Sequence, residues 1–220
     1  MSTDTQAFRL PSRRAFLKNA GGVAVTALTI GFEWAGTTRR VTGLAVPSAG
    51  EIFAPNAFLR IGTDNSVTVI AKHVEMGQGA YTGIATIVAE ELDADWTLVR
   101  VESAPADAKR YANLVFGTMQ GTGGSSAMAN SWDQLRDAGA KARAMLTAAA
   151  AGEWKVPVTE LTVDKGVVYH AGSKRQAAFG SLVSRAAALK VPDKVTVKSS
   201  ADFKLIGHPV PRVDVPSKVD

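Results

Sequence analysis

Two short stretches of the chain collect residue types that can hold an anion. The first, His73-Val74-Glu75-Met76-Gly77-Gln78-Gly79, falls between a β-rich run and a helical one. Glycines on both sides of Gln78 let the backbone approach a ligand and leave N–H groups unobstructed. The helix N-terminus close behind adds positive potential. A plain strand-to-helix turn uses the same residues. The second stretch, Gly117-Thr118-Met119-Gln120-Gly121-Thr122-Gly123-Gly124-Ser125-Ser126, places four glycines, two threonines and two serines ahead of a long helical run. Backbone donors, hydroxyl donors and a helix dipole then point one way, an anion cradle. No lysine follows these glycines, so the stretch is not a nucleoside-triphosphate P-loop. A flexible loop has a similar composition, but the two stretches together argue for a ligand that carries phosphate.

Other chemistries are excluded. The chain has no cysteine, hence no disulfide, no thiolate nucleophile and no iron–sulfur cluster of its own. His73, His170 and His208 are far apart with no ligand-type spacing, so no metal ligands are assigned. No residue is assigned a catalytic role.

The elements that must position the loops are expected to form an α+β fold, with a mixed β-sheet, β-hairpins and a long alanine-rich helix packed on it. "AFLRIGTDNSVTVIAK" reads as a hairpin turning at Gly62–Ser66, with strands across about 58–72. Tyr81–Leu92 reads as a helix with Thr82 as N-cap. "TLVRVESA" alternates as a strand, Leu98, Arg100 and Glu102 on one face, Val99 and Val101 on the other. The longest periodic run ends near Lys155. Its stripe is Leu135, Ala138, Ala142, Met145, Leu146 and Ala149, with Arg136, Lys141 and Arg143 turned away. Its start is set either by a capping box at Ser131 and Gln134 or earlier, near Ser125. A second hairpin follows Pro157, turning at Asp164-Lys165-Gly166, and Phe179–Leu189 reads as a short amphipathic helix.

The N-terminal segment has a different character. Ser12-Arg13-Arg14-Ala15-Phe16-Leu17-Lys18 resembles a twin-arginine export signal, and the apolar run Gly21–Phe32 is too short to cross a bilayer. Cleavage after Ala45 or after Ala49 fits equally. This signal implies export of a protein folded in the cytoplasm, often around a cofactor. Residues 1–49 are therefore taken as a disordered export signal and linker, 50–189 as the ligand-binding domain, and 190–220 as an extended segment, which only the family resemblance described next implies to lead to a next domain. Residues 1–49 hold six Lys or Arg against two acidic residues, leaving the rest nearly neutral. The basic pI says nothing of nucleic acid, and no nucleic-acid partner is expected.

"VEMGQG", followed by the Thr/Ser/Gly loop and the long helix, resembles the molybdopterin-binding region of the xanthine dehydrogenase and aldehyde oxidase family. "FAPNAFLRIG", "VAEELDADW", "VRVESAPAD", "GTGGSSAMANSWDQLRDAGAKARAML" and "GHPVPRVDVPSKVD" are similar to the N-terminal part of its isoquinoline 1-oxidoreductase-like large (beta) subunits. The resemblance implies that Met76, Gly77 and Gln78 meet a pterin through backbone and amide contacts. Thr122 and Ser125 would bring hydroxyls to its phosphate end, and Ser126 a backbone donor. Ala127 departs from relatives that have a serine there. The implied cofactor is molybdopterin with molybdenum, in the cytosine dinucleotide form. The implied reaction is hydroxylation of N-heteroaromatics or aldehydes with oxygen from water. Implied partners are a small [2Fe-2S] subunit, an electron acceptor such as a c-type cytochrome, and the twin-arginine translocase, in the periplasm. The family's general base is a glutamate in a glycine-rich context without counterpart here, so the 220-residue chain alone is expected to be inactive. The competing reading is an exported, non-catalytic binding or scaffold module that retains the fold.

Overall fold

The computed structural model describes residues 27–31, as backbone, and 57–219. The Ser12–Lys18 signature and both cleavage positions lie outside the described residues.

The fold is α+β and mixed. A four-stranded sheet has the order β1 (Ala27–Gly31), β2 (Ala57–Gly62), β3 (Val67–Ala71), β4 (Val99–Ser103). The expected first hairpin is β2–β3, antiparallel, with Leu59 opposite Val69 and Ile61 opposite Val67. Chain direction then reverses through helix α1 (Ala80–Leu92), which crosses over to β4, parallel to β3. A parallel neighbour needs such a crossover, and the crossover places the first loop at the end of β3.

Strand β1 corrects an expectation. Ala27–Gly31 falls inside the segment taken as disordered signal, yet it pairs antiparallel with β2, Leu28 opposite Ile61 and Ile30 opposite Leu59. A sheet edge exposes a row of unpaired N–H and C=O groups, and an uncharged segment with Thr29 and Ile30 is suited to cover it.

The long helix α3 (Ser126–Trp154) starts just after Ser125, not at a Ser131 box. Its six-residue stripe is buried as expected, and all of it but Ala138 shares one core with Leu59, Ile61, Val69, Ile84 and Val88. Its basic residues do not simply face solvent. Lys141 is buried and pairs with Asp137, Arg136 pairs with Glu91 and Arg143 with Asp93. Periodicity marks the apolar face correctly but is silent on what covers the opposite one. A short helix, α2 (Ala108–Tyr111), brings Tyr111 edge-on to Phe58, ring centroids 5.6 Å apart.

Helices α1 and α3 touch at Gly139. A Cβ there would lie 2.8 Å from the Val88 carbonyl oxygen and 2.9 Å from Glu91 Cβ. Gly139→Val is therefore expected to lower stability by about 2–3 kcal/mol, since backbone on one side cannot yield. An unchanged urea midpoint would contradict this crossing.

The second hairpin is one strand larger than expected: β5 (Leu161–Asp164), β6 (Val167–His170) and β7 (Arg175–Ala178) form a separate antiparallel sheet. Helix α4 (Phe179–Ala187) follows and joins the core through Phe179, Leu182, Val183 and Ala186. Its Gly180 N–H donates to Asn65 Oδ1 at 2.8 Å, tying it to the first hairpin's turn.

Residues 190–214 run back over α1. Glu90, fully buried, accepts the backbone N–H groups of Lys204, Leu205 and Ile206 on one carboxylate oxygen and Lys198 Nζ on the other. Further along, the Trp96 indole donates to the Pro211 carbonyl, and Val213 N–H donates to Thr82 Oγ1. Thr82 is thus inside α1 rather than its cap, a position held by Gly79. A short terminal helix, α5 (Pro216–Val219), ends the described chain.

Candidate anion-binding site

Strand β3 ends at Ala71, and its last turn buries two polar side chains, Lys72 and His73, 4% and 1% exposed. The first loop then emerges. Glu75 organises it: Oε1 accepts the N–H groups of Gly77 (2.7 Å) and Gly79 (2.9 Å), and Oε2 accepts Tyr81 N–H (3.0 Å). Burial opposes this charge, but the three donors outweigh it and hold the Glu75 carboxyl below its usual range. The loop must curl tightly around one carboxylate, and Gly77 (φ 103°) and Gly79 (φ 85°) make that curl in the left-handed region.

Two contacts in this loop were not foreseen. The Gln78 amide folds back: Oε1 accepts Met76 N–H at 2.5 Å and Nε2 donates to the Val74 carbonyl at 2.8 Å. Arg212, from the far end of the chain, reaches in to donate to the Gly77 carbonyl and to Glu75 Oε1, both at 3.2 Å. Asp214 braces it, and hydrogen bonds from Arg212 and Lys218 hold the Asp214 carboxyl well below its ordinary value. Met76 and Gly77 are exposed at the tip.

The second loop is built around Asn113, which is fully buried. Its N–H donates to the Met119 carbonyl (2.9 Å), its Nδ2 to the Gly121 carbonyl (3.2 Å) and to Ser126 Oγ (2.7 Å), and its Oδ1 accepts Val115 N–H (3.1 Å). Ser126 in turn donates both Oγ–H and N–H to the Gly123 carbonyl. The backbone donor expected of Ser126 is therefore engaged within the chain. The carbonyls of Gly121 and Gly123 are thus tied down. In a trans peptide the C=O and N–H point opposite ways, so the N–H groups of Thr122 and Gly124 are turned to the other side.

Among the described residues, the backbone N–H groups of Thr122, Gly123, Gly124 and Ser125 have no partner in the chain. Ser125 sits at the α3 N-terminus with φ 52°, an unusual conformation for serine, and its side chain makes no capping bond. These four backbone donors and the Ser125 hydroxyl therefore sit in a largely exposed loop at the positive end of a 29-residue helix. Phe116 lies over the same loop, 3.3 Å from where a Cβ on Gly121 would be.

The two loops meet. Val74 N–H donates to Thr122 Oγ1 at 2.9 Å, which leaves the threonine proton free to donate outward. Met76, Gly77, Gln78, Thr122 and Ser125 thus belong to adjoining loops, whereas Ser126 is buried beneath the second. The loops are rimmed by exposed apolar side chains, Val74, Met76, Leu114, Val115 and Met119. No group of His, Asp or Glu suited to a metal ion occurs among the described residues.

Among the described residues Lys72 has no carboxylate partner; its Nζ donates to Gln134 Oε1 at 2.7 Å, and burial pushes its pKa down to about 8. The folded chain thus holds this proton less tightly than the unfolded chain, so stability should rise as pH climbs from about 8 towards 10.5. Lys72→Met is expected to stabilise the chain at pH 7 by about 1–3 kcal/mol and to remove that rise. Urea denaturation at pH 7 and pH 10 measures both.

A family described as "Molybdopterin cofactor-binding domain" matches residues 10–215. The beta chain of isoquinoline 1-oxidoreductase from Brevundimonas diminuta is 35% identical over 246 aligned residues, covering 95% of this chain and 30% of that one. A protein of Gluconacetobacter polyoxogenes, "Membrane-bound aldehyde dehydrogenase [pyrroloquinoline-quinone]", is 30% identical across 95% of this chain and 26% of its own. A nicotinate dehydrogenase subunit from Pseudomonas putida is 33% identical across 73% of this chain and 13% of its own. The chain thus spans less than a third of the length of these relatives. With a match over nearly its whole length, and two donor-rich loops converging at a helix N-terminus, the chain belongs to the molybdopterin cofactor-binding domain family.

Proposed function

We propose that the chain holds the phosphate end of a molybdopterin cofactor, in the cytosine dinucleotide form, as the N-terminal part of a molybdenum hydroxylase large subunit. The observation that carries this reading is the set of unpartnered N–H groups from Thr122 to Ser125, gathered at the start of α3 against the first loop. An anionic phosphate satisfies these donors, and the tethered carbonyls of Gly121 and Gly123 bias the Thr122 and Gly124 N–H groups towards it. The Thr122 and Ser125 hydroxyls add donors. Met76 and Gly77 present backbone at the tip of the first loop, and Gln78 reaches a pterin by releasing Met76 and Val74. When bound, the cofactor supplies hydroxylation of an N-heteroaromatic ring or an aldehyde with oxygen from water.

The exposed apolar rim is the kind of surface another part of a larger enzyme covers. Electrons leave through a separate small [2Fe-2S] subunit towards an acceptor such as a c-type cytochrome, consistent with a chain that has no cysteine. The Ser12–Lys18 signature supports passage through the twin-arginine translocase to the periplasm. Ala127, which brings no hydroxyl to the first turn of α3, is the feature that favours the second reading, an exported non-catalytic module.

The test is to purify the chain from a molybdenum-replete host and offer an N-heterocycle and an aldehyde with an artificial electron acceptor. The 220-residue chain is expected to reduce no dye. Co-expression with the remainder of the large subunit and the small subunit should restore dye reduction. Stoichiometric molybdenum with substrate-dependent dye reduction by the chain alone would overturn this division of labour, and inactivity of the completed complex would favour the module.

A further inference from the structure

His73 lies beneath both loops and has one ring nitrogen without a partner. Its tautomer follows from its neighbours. Leu114 N–H contacts one side-chain atom of Asn130 at 2.9 Å, and a backbone N–H can only donate, so that atom is Oδ1. Asn130 Nδ2 is then the atom 2.9 Å from His73 Nε2, and an amide nitrogen also only donates. Nε2 is therefore the acceptor and the single proton of the neutral ring is on Nδ1. Burial, with Lys72 beside it, disfavours a second proton. The result is an N–H donor on a side chain 99% buried that meets no acceptor at hydrogen-bond geometry. A buried unpaired donor costs about 1–3 kcal/mol, so it calls for an acceptor. The acceptor nearest to it is the Gly121 backbone carbonyl, which already favours the protonated ring from close by but stands off hydrogen-bond geometry.

We propose that His73 is a positioning residue for the second loop: its Nδ1–H takes the Gly121 carbonyl when an anion occupies the loop, coupling anion binding to the spacing of the two loops. This rests on the reading of the second loop as a phosphate site. The coupling is built into one peptide unit. The Gly121 carbonyl and the Thr122 N–H belong to the same trans amide, so drawing the oxygen down to His73 drives the N–H out towards the anion. Asn113 Nδ2 holds the same carbonyl loosely, at 3.2 Å, and a carbonyl oxygen can accept a second donor. Because His73 directly precedes Val74, whose N–H holds Thr122 Oγ1, the same movement closes the first loop on the second.

Heteronuclear NMR of the 220-residue chain, titrated with inorganic pyrophosphate, tests the proposal. The free chain should show the Nδ1–H tautomer, and pyrophosphate should shift the Thr122–Ser125 amides and the His73 Nδ1–H together, with one affinity. Shifted amides with an unmoved imidazole would overturn the role of His73 and leave the phosphate site standing. No shift at either would overturn both, and an Nε2–H tautomer in the free chain would overturn the proposal by itself. Two variants separate positioning from mere packing. His73→Asn keeps a donor where Nδ1 stands and should retain affinity within about threefold. His73→Gln keeps the acceptor for Asn130 but not that donor and should weaken pyrophosphate about tenfold, the size of one lost hydrogen bond. Equal loss in both variants would contradict the coupling.

Discussion

Replacing Glu90 with alanine is expected to destabilise the chain by about 4 kcal/mol and to loosen the loop that lies beyond the other end of α1. The carboxylate is fully buried and answers three backbone N–H groups and Lys198 Nζ at once. Burial disfavours its charge, but the Leu205 N–H, Lys198 and their neighbours outweigh burial and keep it ionised. Removal leaves those amides unpaired and a lysine, 7% exposed at its side chain, with only Asp93 for company. At roughly 2–4 °C per kcal/mol, thermal unfolding should begin about 10 °C lower. Hydrogen exchange should speed up first at residues 198–206. It should then speed up at Gly77 and Gly79, because the same strand of chain delivers Arg212 to the first loop. Faster exchange confined to 198–206 would show that the segment does not brace the site.

The second large effect is expected at Asn113. Asn113→Ala removes two donors and one acceptor from a fully buried position and should cost about 3 kcal/mol. Its consequence for the site is sharper than its cost in stability. With the Gly121 carbonyl released from Asn113 and Ser126 Oγ left without its donor, the peptides that aim Thr122 and Gly124 outward can rotate. Pyrophosphate affinity should fall by at least about tenfold. A variant destabilised by this amount yet binding pyrophosphate as well as the parent would mean that the loop holds its shape by itself.

What could be read from the sequence was the part of the design that repeats or is local. The alternation around Gly62–Ser66, the stripe from Leu135 to Ala149 and the crowding of glycine and hydroxyls before Ser126 each carry their meaning in adjacent residues. The contacts of Glu75 with the amides of Gly77, Gly79 and Tyr81 are equally local, spanning at most six residues. The missed parts are single polar contacts across long stretches of chain. Glu90 meets residues 108 to 116 positions away, and Arg212 meets Glu75 across 137. No periodicity announces such pairs. Asn113 and Asn130 were overlooked for a related reason: an asparagine near a glycine-rich loop reads as turn chemistry, and only burial shows it to be a scaffold. The strand Ala27–Gly31 was hidden by its neighbours, since two arginines and an apolar run are an export label and a strand former alike.

In the proposed function the loop from Thr122 to Ser125 grips the phosphate end of a pterin. Its most direct test is the pterin content of the purified chain, measured as the fluorescence of the oxidised pterin released on denaturation. Parent and Thr122→Val/Ser125→Ala double variant would be prepared side by side from one molybdenum-replete host. Pterin is expected to co-purify with the parent and to fall at least about tenfold in the double variant, which loses two hydroxyl donors at the anion. A parent free of pterin, or a double variant carrying as much pterin as the parent, would contradict it.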